Sequence, residues 1–510
     1  MSDSNLDSCS KSKSQRIQQA FSPDNLQELT GRLAGILGRH MESAQNSTGN
    51  VLNWNEPEEN CRLAIEFLDS ANPSQADSQP LPDRFEAVMT EMLARGHNLH
   101  DPRYIGHQVP ASIPLAGLFD AVGSVTNQVM AVYEMGPWAT AVERSLVDRI
   151  GQAIGFEAGS FAGLVTHGGT LGNMTGLLTA RNVALGNAWE DGLSGRRSTP
   201  VLVAQSDSHY SISRAAGMIG IGTKNVVKVR LDEQRRMDPQ HLDETLTDLR
   251  KKDVPIVAVC ACACATPIGA FDPLTEIAEV CQRHDVWLHV DAAHGGAACL
   301  SDKYRHLIAG LEKADSVVAD AHKMMFVPAL CAFVFYRNRD HRFEAFRQDA
   351  PYLFDPSSPG LAEYDSGMLT PECTKRAACY GLWGVWSLFG QQLFSDMVDQ
   401  TFDLGRVFYE KLVESSDFEP LHNPQCNIVA FQHIPKELRD APQEKLNRFL
   451  LKLRHDLIRS GEFYIVQANI DGPQALRVTI INPLTTAEHL DGLLDAIRRT
   501  GRQILHSQSA

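Results

Sequence analysis

Three short stretches of the sequence carry groups that could do chemistry, and each adjoins an apolar, strand-like run. Asp291 directly follows the run 286–290, and Lys323 stands four residues after the run 316–319. A glycine-rich turn at 166–173 leads from a third apolar run into a helical pattern. Because α/β proteins place ligand-contacting groups at the carboxyl ends of parallel strands, the three stretches are predicted to meet at one site.

Asp291 and Lys323 suit a site that binds an aldehyde carrying a pyridine ring. A buried acid needs a cationic partner, and Asp291 could keep a pyridinium nitrogen protonated so that the ring accepts electrons. Lys323 stands among apolar residues, where desolvation is expected to lower the pKa of its ammonium and free the amine that an imine requires. An Asp alone can cap a turn and a Lys alone can reach the surface, so the chemical interpretation depends on their pairing.

The glycine-rich turn adds an anion-binding group to this pair. Exposed backbone amides at the start of a helix bind phosphate well, although glycines also serve ordinary tight turns. An acid, an amine and an anion cradle at strand ends are together explained by one phosphorylated aldehyde cofactor. No metal site is predicted, because Cys260, Cys262 and Cys264 share one face of a strand where core packing is expected.

Further motifs are spread along the chain between about residues 95 and 490. They lie at 101–104 with Gln108, 133–137, 208–212, 269–272, 287–293, 322–325, 352–354, and at Arg477 with 481–483. In this order they resemble the group II pyridoxal-phosphate-dependent amino-acid decarboxylases. The branch that they resemble most contains the glutamate and cysteine-sulfinate decarboxylases.

The resemblance implies roles for individual residues around pyridoxal 5'-phosphate. Lys323 would carry the cofactor, Asp291 would pair with the pyridine nitrogen, and His209 would stack on the ring. Further cofactor contacts are implied for Gly169, Thr170, Thr266, Ala293, Asp320 and His322. Asp320 departs from the family, which often has Asn beside the phosphate at this position.

The resemblance also implies a set of groups for the substrate and for proton transfer. Arg477 would receive a substrate carboxylate, for which a planar guanidinium is suited, with Gln108 and His107 nearby. Tyr352 lies in a Pro-, Ser- and Gly-rich segment that is predicted to be a mobile loop. It would deliver the proton to the substrate Cα as a general acid, whereas its alternative role is to anchor the loop.

We therefore predict that the enzyme decarboxylates a small L-amino acid to its amine and carbon dioxide. Gln108 and Arg477 favour an acidic substrate, namely glutamate, aspartate or cysteine sulfinate. His107, Ser112 and His294 leave L-2,4-diaminobutyrate or an aromatic amino acid as alternatives, because one missing hydrogen-bond partner can reverse such a preference. A pyridoxal-phosphate enzyme of another type, such as a transaminase or an aldehyde-forming oxidase, and a catalytically silent cofactor-binding protein are the remaining alternatives.

The elements that must position these residues follow an α/β pattern. Between about 101 and 390, apolar runs alternate with helical patterns, which is typical of a mainly parallel sheet covered on both faces. The predicted strands there are 201–205, 256–264, 286–290, 316–319 and 331–336. The resemblance implies that this large domain has the aspartate-aminotransferase-like fold, fold type I.

The rest of the chain is predicted to form smaller parts. Residues 1–20 are polar and are predicted to be a disordered tail, and 21–100 a helical N-terminal arm. Residues 391–510 are predicted to form a small α+β domain with strands at 427–432, 463–467 and 476–481. The resemblance further implies a homodimer in which the arm crosses to the partner.

Composition narrows the choice of compartment and partner. The formal charge is −15 without a basic block, which argues against a nucleic-acid or anionic-membrane surface and favours a small-molecule partner. No apolar run is long enough for a membrane span. The 11 cysteines are an odd number and several stand in apolar runs, so a reducing, cytoplasmic location is expected.

Overall fold

The computed structural model describes residues 13–69, 79–186, 188–346 and 363–509. The strands in these ranges are β1 Val129–Met130, β2 Ala162–Thr166, β3 Val201–Gln205, β4 Val226–Val229, β5 Ile256–Cys262, β6 Trp287–Asp291, β7 Ser316–Asp320, β8 Ala332–Tyr336, β9 Lys375–Arg376, β10 Phe418–Pro420, β11 Ile428–His433, β12 Val466–Asn469 and β13 Gln474–Thr479. The largest sheet has the order β2-β8-β7-β6-β5-β3-β4. Every residue of β3, β5, β6, β7 and β8 is buried, which explains why these strands are continuous apolar runs in the sequence.

This sheet is mainly parallel, as predicted. The pairs β3–β4, β3–β5, β5–β6 and β6–β7 are parallel, so their carboxyl ends lie at the same edge. On the other side, β8 is antiparallel both to β7 and to β2, with Thr166 opposite Ala332. The predicted α/β class is therefore confirmed, and the ends of β5, β6 and β7 face the same space.

After residue 20, the α-helices in the described ranges are Pro23–Gln45, Pro57–Asp69, Leu81–Ala94, Pro114–Val125, Pro137–Ile154, Gly169–Leu185, Ala188–Asp191, Tyr210–Met218, Pro239–Lys251, Leu274–Arg283, Tyr380–Phe389, Gln392–Glu414, Gln443–Ser460 and Ala487–Ser509.

The helix that follows the glycine-rich turn packs close to the sheet. A Cβ atom added at Gly176 would lie 2.9 Å from the ring of His289 on β6. Glycine at this position lets the helix Gly169–Leu185 approach β6 and brings its first turn to the sheet edge.

The second sheet is antiparallel and has the order β10-β11-β13-β12. Each strand corresponds to part of the chain where short apolar runs mix with helical patterns. The contact between β11 and β13 places Ala430 opposite Arg477, so Arg477 starts from the middle of this sheet. The predicted mixture of strands and helices after about 390 is present.

The chain divides into two units. The larger unit contains Ile105–Lys452 and Ile465–Asp491, and therefore both sheets. The smaller unit contains the described residues up to Tyr104, Leu453–Tyr464 and the chain from Gly492 onward. Boundaries near 100 and 390 stay predictions.

Within the smaller unit, Arg32 of the helix Pro23–Gln45 pairs with Asp83 and Glu86 of the helix Leu81–Ala94, each at 3.3 Å. Residues 13–20 are helical, which corrects the predicted disordered tail over that part of 1–20. The physical reason is that this stretch contains neither Pro nor Gly and is rich in good helix formers. Among the described residues, no helix combines the length and the apolar character needed to cross a membrane.

Candidate active site

A cavity of about 350 Å³ lies at the carboxyl ends of β5, β6 and β7. Ten of the predicted site residues line it, namely Gln108, Gly169, Thr170, His209, Thr266, Asp291, Ala293, Asp320, His322 and Lys323. Its wall also contains His167, Gly168, Asn173, Cys264, His294 and Leu330. Most of the predicted site residues therefore share one cavity at the strand ends, as expected from their positions in the sequence.

Three predicted site residues are not in this wall. His107 is exposed, and Arg477 is buried behind the wall. Tyr352 lies outside the described residues, so its role as a proton donor stays a prediction.

Lys323 faces Asp320 across the cavity floor. Its Nζ lies 3.2 Å from Asp320 Oδ2. Burial alone would lower the pKa of Lys323, but the charges of Asp320 and Asp291 outweigh burial and raise it. The expectation of a lowered pKa is therefore wrong, because the charges of two acids act on Nζ and outweigh desolvation. A nucleophilic amine at this position requires that a proton leave Nζ.

Asp291 is held by two hydrogen bonds at the end of β6. Its Oδ1 accepts from the backbone amide of Ala293 at 3.1 Å, and its Oδ2 accepts from Asn173 Nδ2 at 2.9 Å. The Asn173 side chain is buried and also donates to Ser211 Oγ at 2.9 Å. Because Asn173 Nδ2 faces these two acceptors, Asn173 Oδ1 is on the other side and accepts a hydrogen bond from His289 Nε2 at 2.9 Å.

Asn173 and His289 are site residues that the sequence reasoning missed. Asn173 stands four residues after Gly169, so both lie on the same face of the helix Gly169–Leu185. That spacing is a signal that could have identified Asn173. His289 is fully buried, and burial lowers its pKa to about 4, so its ring is neutral near neutral pH.

His209 caps the helix Tyr210–Met218 and faces the cavity. Its Nδ1 accepts from the backbone amide of Ser211 at 3.3 Å and lies 2.8 Å from Ser211 Oγ. Since Nδ1 is an acceptor, the proton of the neutral ring is on Nε2. Burial lowers the pKa of His209, which favours this neutral form.

The glycine-rich turn leaves no room for side chains beside Asp320. Gly168 has a φ of 106°, which favours glycine, and Gly169 begins the helix. A Cβ atom at Gly169 would lie 2.8 Å from both carboxylate oxygens of Asp320. Asp320 therefore sits directly at the helix N-terminus, and its Oδ1 has no hydrogen-bond partner among the described residues.

His322 is oriented by the backbone of the strand-like segment before β8. Its Nδ1 donates to the carbonyl of Cys331 at 2.9 Å. This hydrogen bond orients the ring so that Nε2 lies 3.5 Å from Asp320 Oδ2. The imidazole thus presents one nitrogen to the same corner of the cavity as Asp320 and the glycine-rich turn.

Arg477 supports the cavity wall from behind. Its side chain is buried on β13, where Nε donates to the carbonyl of Pro267 at 3.1 Å and Nη2 to the carbonyl of Thr266 at 2.8 Å. Burial lowers its pKa to about 10, so the guanidinium still carries its charge near neutral pH. The observed contacts fix the position of Thr266, which itself lines the cavity.

Residues 65–434 match the family model described as the pyridoxal-dependent decarboxylase conserved domain. The chain belongs to this family. The mouse acidic amino acid decarboxylase GADL1 is 29% identical over 462 residues, which cover 89% of this chain and 82% of the relative. The human cysteine sulfinic acid decarboxylase is 30% identical over 479 residues, which cover 92% of this chain and 94% of the relative.

Solved structures of similar proteins support the fold of this decarboxylase. The crystal structure of mouse CSAD has a TM-score of 0.86 at 26% identity and covers 94% of this chain and 99% of that one. The crystal structure of Oryza sativa TDC with PLP and tryptamine has a TM-score of 0.83 at 21% identity, which supports the fold alone. The predicted fold type I, the amino-acid decarboxylase class and the pyridoxal 5'-phosphate cofactor are confirmed.

The cavity of the decarboxylase fits its cofactor. The fixed carboxylate of Asp291 would pair with a protonated ring nitrogen, and the amine of Lys323 would bind an aldehyde. The helix N-terminus at Gly169 suits a phosphate, although Asp320 brings a negative charge to the same corner. Pyridoxal phosphate, when bound, supplies the electron sink that amino-acid decarboxylation requires.

Proposed function

We propose that this decarboxylase acts on a small acidic L-amino acid, namely glutamate, aspartate or cysteine sulfinate. The observation that carries the proposal is the similarity over about nine-tenths of the chain to two relatives that are named for acidic substrates. Two groups support an anionic substrate. One is Gln108 in the cavity wall, and the other is the charged guanidinium of Arg477, which lies behind the wall at Thr266. Both groups can donate hydrogen bonds to a carboxylate or a sulfinate.

In this proposal, Asp291 keeps a proton on the ring nitrogen of the cofactor. Asn173 and the amide of Ala293 hold the Asp291 carboxylate in place through two hydrogen bonds. The neutral ring of His209 covers one side of the bound ring and excludes water. Together these four groups favour loss of carbon dioxide, because they maintain the protonated ring that stabilises the electron pair remaining on the substrate.

Lys323 and Tyr352 take part in the two proposed proton transfers. Lys323 gives up its proton before it binds the cofactor, and Asp320 at 3.2 Å is the acceptor in contact with Nζ. Tyr352 delivers a proton to the substrate Cα after carbon dioxide has left. Five further residues contact the cofactor or the residues around its phosphate, namely Gly169, Thr170, Thr266, Ala293 and His322.

We further propose a cytoplasmic homodimer. An exposed apolar stripe supports the association of two subunits, because Leu118, Val122 and Val125 lie at helical spacing and are 62%, 57% and 61% exposed. Contiguous exposed apolar residues of this kind are typical of protein interfaces. The proposal keeps three predicted parts of the chain, namely the arm at 21–100, the large domain at 101–390 and the C-terminal domain at 391–510.

The test is a product assay with the purified holoenzyme and a panel of amino acids. Each reaction is analysed for carbon dioxide, amine, keto acid and aldehyde. Equal yields of carbon dioxide and amine from glutamate, aspartate or cysteine sulfinate are expected. Turnover confined to diaminobutyrate or an aromatic amino acid would overturn the acidic assignment.

A variant of Arg477 tests the substrate-binding part. Arg477→Lys keeps a positive charge but loses the planar fork, so the KM for the acidic substrate should rise by roughly tenfold or more. Arg235→Lys is the matched control, because Arg235 pairs with Asp207 and Asp471, whereas Arg477 donates to the wall residue Thr266. An equal KM in the two variants would contradict a carboxylate-binding role for Arg477.

A further inference from the structure

Three metal-ligand side chains meet beside the cofactor cavity. One ligand atom from each of Cys264, His294 and Cys426 lies within 4.8 Å of the other two. All three side chains are buried, with exposed fractions of 7%, 2% and 2%. In the part of the chain that the structure describes, no other group of His, Cys, Asp and Glu meets this distance condition.

The hydrogen bonds of Asn427 fix the state of the His294 ring. Asn427 Nδ2 donates to the carbonyl of Ile480 at 3.0 Å, so Oδ1 is the atom that lies 2.9 Å from His294 Nε2. His294 Nε2 must therefore carry the proton and donate it to Oδ1. In this tautomer, His294 Nδ1 presents a lone pair.

Among the described residues, this lone pair has no hydrogen-bond partner, although the atom is fully buried. A buried acceptor without a donor destabilises the folded protein, so such atoms are uncommon in protein interiors. His294 also lines the cavity, together with Cys264. The geometry thus places an unpartnered imidazole nitrogen, which can serve as a metal ligand, next to two thiols.

The two thiols are already near the spacing that a tetrahedral metal requires. Cys264 Sγ and Cys426 Sγ lie 4.0 Å apart, and Cys426 Sγ lies 3.6 Å from the carbonyl oxygen of Gly269. Zinc–sulfur bonds of about 2.3 Å at tetrahedral angles place two sulfurs about 3.8 Å apart. Only a small movement of the side chains would bring both sulfurs to this distance.

We propose that Cys264, His294 and Cys426 form a Zn²⁺ site whose fourth coordination position faces the cofactor cavity. Binding forms two zinc–sulfur bonds and one zinc–nitrogen bond, and the two thiols release two protons to solvent. Two thiolates neutralise the charge of Zn²⁺, so the complex adds no net charge to a buried region. Thiolate and imidazole ligands select zinc over magnesium or calcium.

The direction of the open position follows from which ligands reach the cavity. Cys264 and His294 are in the cavity wall, whereas Cys426 approaches from the side of β11. A metal held between them has its remaining side towards the cavity, where water or an anion is the fourth ligand. This site goes beyond the proposed decarboxylation, because no step of that reaction uses the metal.

A second buried thiol pair provides a matched control. Cys331 and Cys379 are both buried, and a hydrogen bond between them raises the pKa of the Cys379 thiol. Among the described residues this pair does not belong to a group of three ligands. Burial of two thiols is common to both pairs, but the imidazole is present only at the first.

The experiment measures metal binding by the full-length holoenzyme. Wild type, Cys426→Ser, His294→Gln and Cys379→Ser are treated with chelating resin, incubated with Zn²⁺ or Co²⁺, dialysed and analysed for metal. We expect close to one zinc per chain in the wild type and in Cys379→Ser, and a loss of most of it in the other two variants. The Co²⁺ wild type should show intense near-ultraviolet thiolate-to-cobalt charge transfer. Retained cofactor absorbance verifies that each variant is folded.

Three results would overturn the proposal. The first is equal metal content in the wild type and in folded Cys426→Ser. The second is a Co²⁺ spectrum without thiolate charge transfer. The third is a Cys264–Cys426 disulfide found by mass spectrometry in the freshly purified enzyme. Because the assay reads metal content, its outcome is independent of which amino acid the enzyme decarboxylates.

Discussion

The side-chain amide of Asn173 donates to the carboxylate of Asp291 over 2.9 Å. The same amide nitrogen donates to Ser211 Oγ, which lies 2.8 Å from His209 Nδ1. One asparagine therefore connects the acid proposed for the cofactor nitrogen to the histidine proposed to cover the ring. A change at Asn173 should affect both groups without removing either.

We expect Asn173→Ala to lower kcat by about 10- to 100-fold, because a hydrogen bond to a charged group is worth about 1.5–3 kcal/mol. Asn173 acts through Asp291, so the absorbance of the bound cofactor should also change its dependence on pH. Thr179→Val is the control, since Thr179 is on the same helix but pairs with Tyr336 at 2.9 Å. A normal cofactor spectrum at every pH in Asn173→Ala would reduce Asn173 to a structural role.

Asp320→Asn should tighten binding of the cofactor. The carboxylate of Asp320 lies at the N-terminus of the helix Gly169–Leu185, where it opposes an anion that the helix would otherwise attract. Removal of this charge should lower the Kd for pyridoxal phosphate by about tenfold, or about 1.4 kcal/mol. Absorbance titration of the apoenzyme measures the Kd. A weaker affinity would show that Asp320 helps the cofactor to bind.

His289 should make the enzyme sensitive to acid. Its pKa is about 4 in the folded protein and about 6.5 when exposed, so below about pH 6.5 the unfolded chain takes up a proton that the folded chain does not. The stability that the neutral ring contributes is thus present above about pH 6.5 and is lost as the pH falls towards 4.

The His289→Gln variant cannot take up this proton. Between about pH 7.5 and about pH 5.5, we expect its free energy of unfolding to fall by about 1 kcal/mol less than that of the wild type. Urea unfolding followed by circular dichroism at both pH values gives the two losses. His284→Gln is the control, because His284 is partly exposed and pairs with Asp243 at 3.0 Å. Parallel losses in His289→Gln and the wild type would contradict the assignment.

Tyr352→Phe should change the product more than it changes cofactor binding. Without a proton donor for Cα, the proton can be added to the cofactor carbon instead, and the reaction ends as transamination. The yield of amine per carbon dioxide should fall, and a carbonyl product should appear in its place. Quantitative product analysis separates these outcomes. An unchanged rate with equal yields of amine and carbon dioxide would rule out Tyr352 as the donor.

The sequence identified residues whose roles depend on the strand that precedes them. Asp291, Lys323 and Gly169 could be placed together because each adjoins an apolar run, and parallel strands end at one edge of a sheet. The electrostatic partners were harder to foresee. The effect of Asp320 on Lys323 depends on a distance of 3.2 Å that no residue pattern states.

The sequence could not predict which ring nitrogen of His294 carries the proton. This depends on Asn427, which is 133 positions away and is itself oriented by the carbonyl of Ile480. Side-chain hydrogen bonds between distant segments are set by tertiary packing. For the same reason, the sequence predicts that Cys264 is a buried core residue, which the structure confirms, but it does not predict that His294 and Cys426 are its neighbours in space.

The position of β2 has a consequence for biosynthesis. In the described sheet, β2 pairs with β8, and Thr166 stands opposite Ala332. The ribosome must therefore extend the nascent chain past Tyr336 before β2, and the helix N-terminus that follows it, can find a place in the sheet. A polypeptide released before β8 would lack a finished cofactor cavity, so the vitamin-derived cofactor could not rescue it from proteolysis.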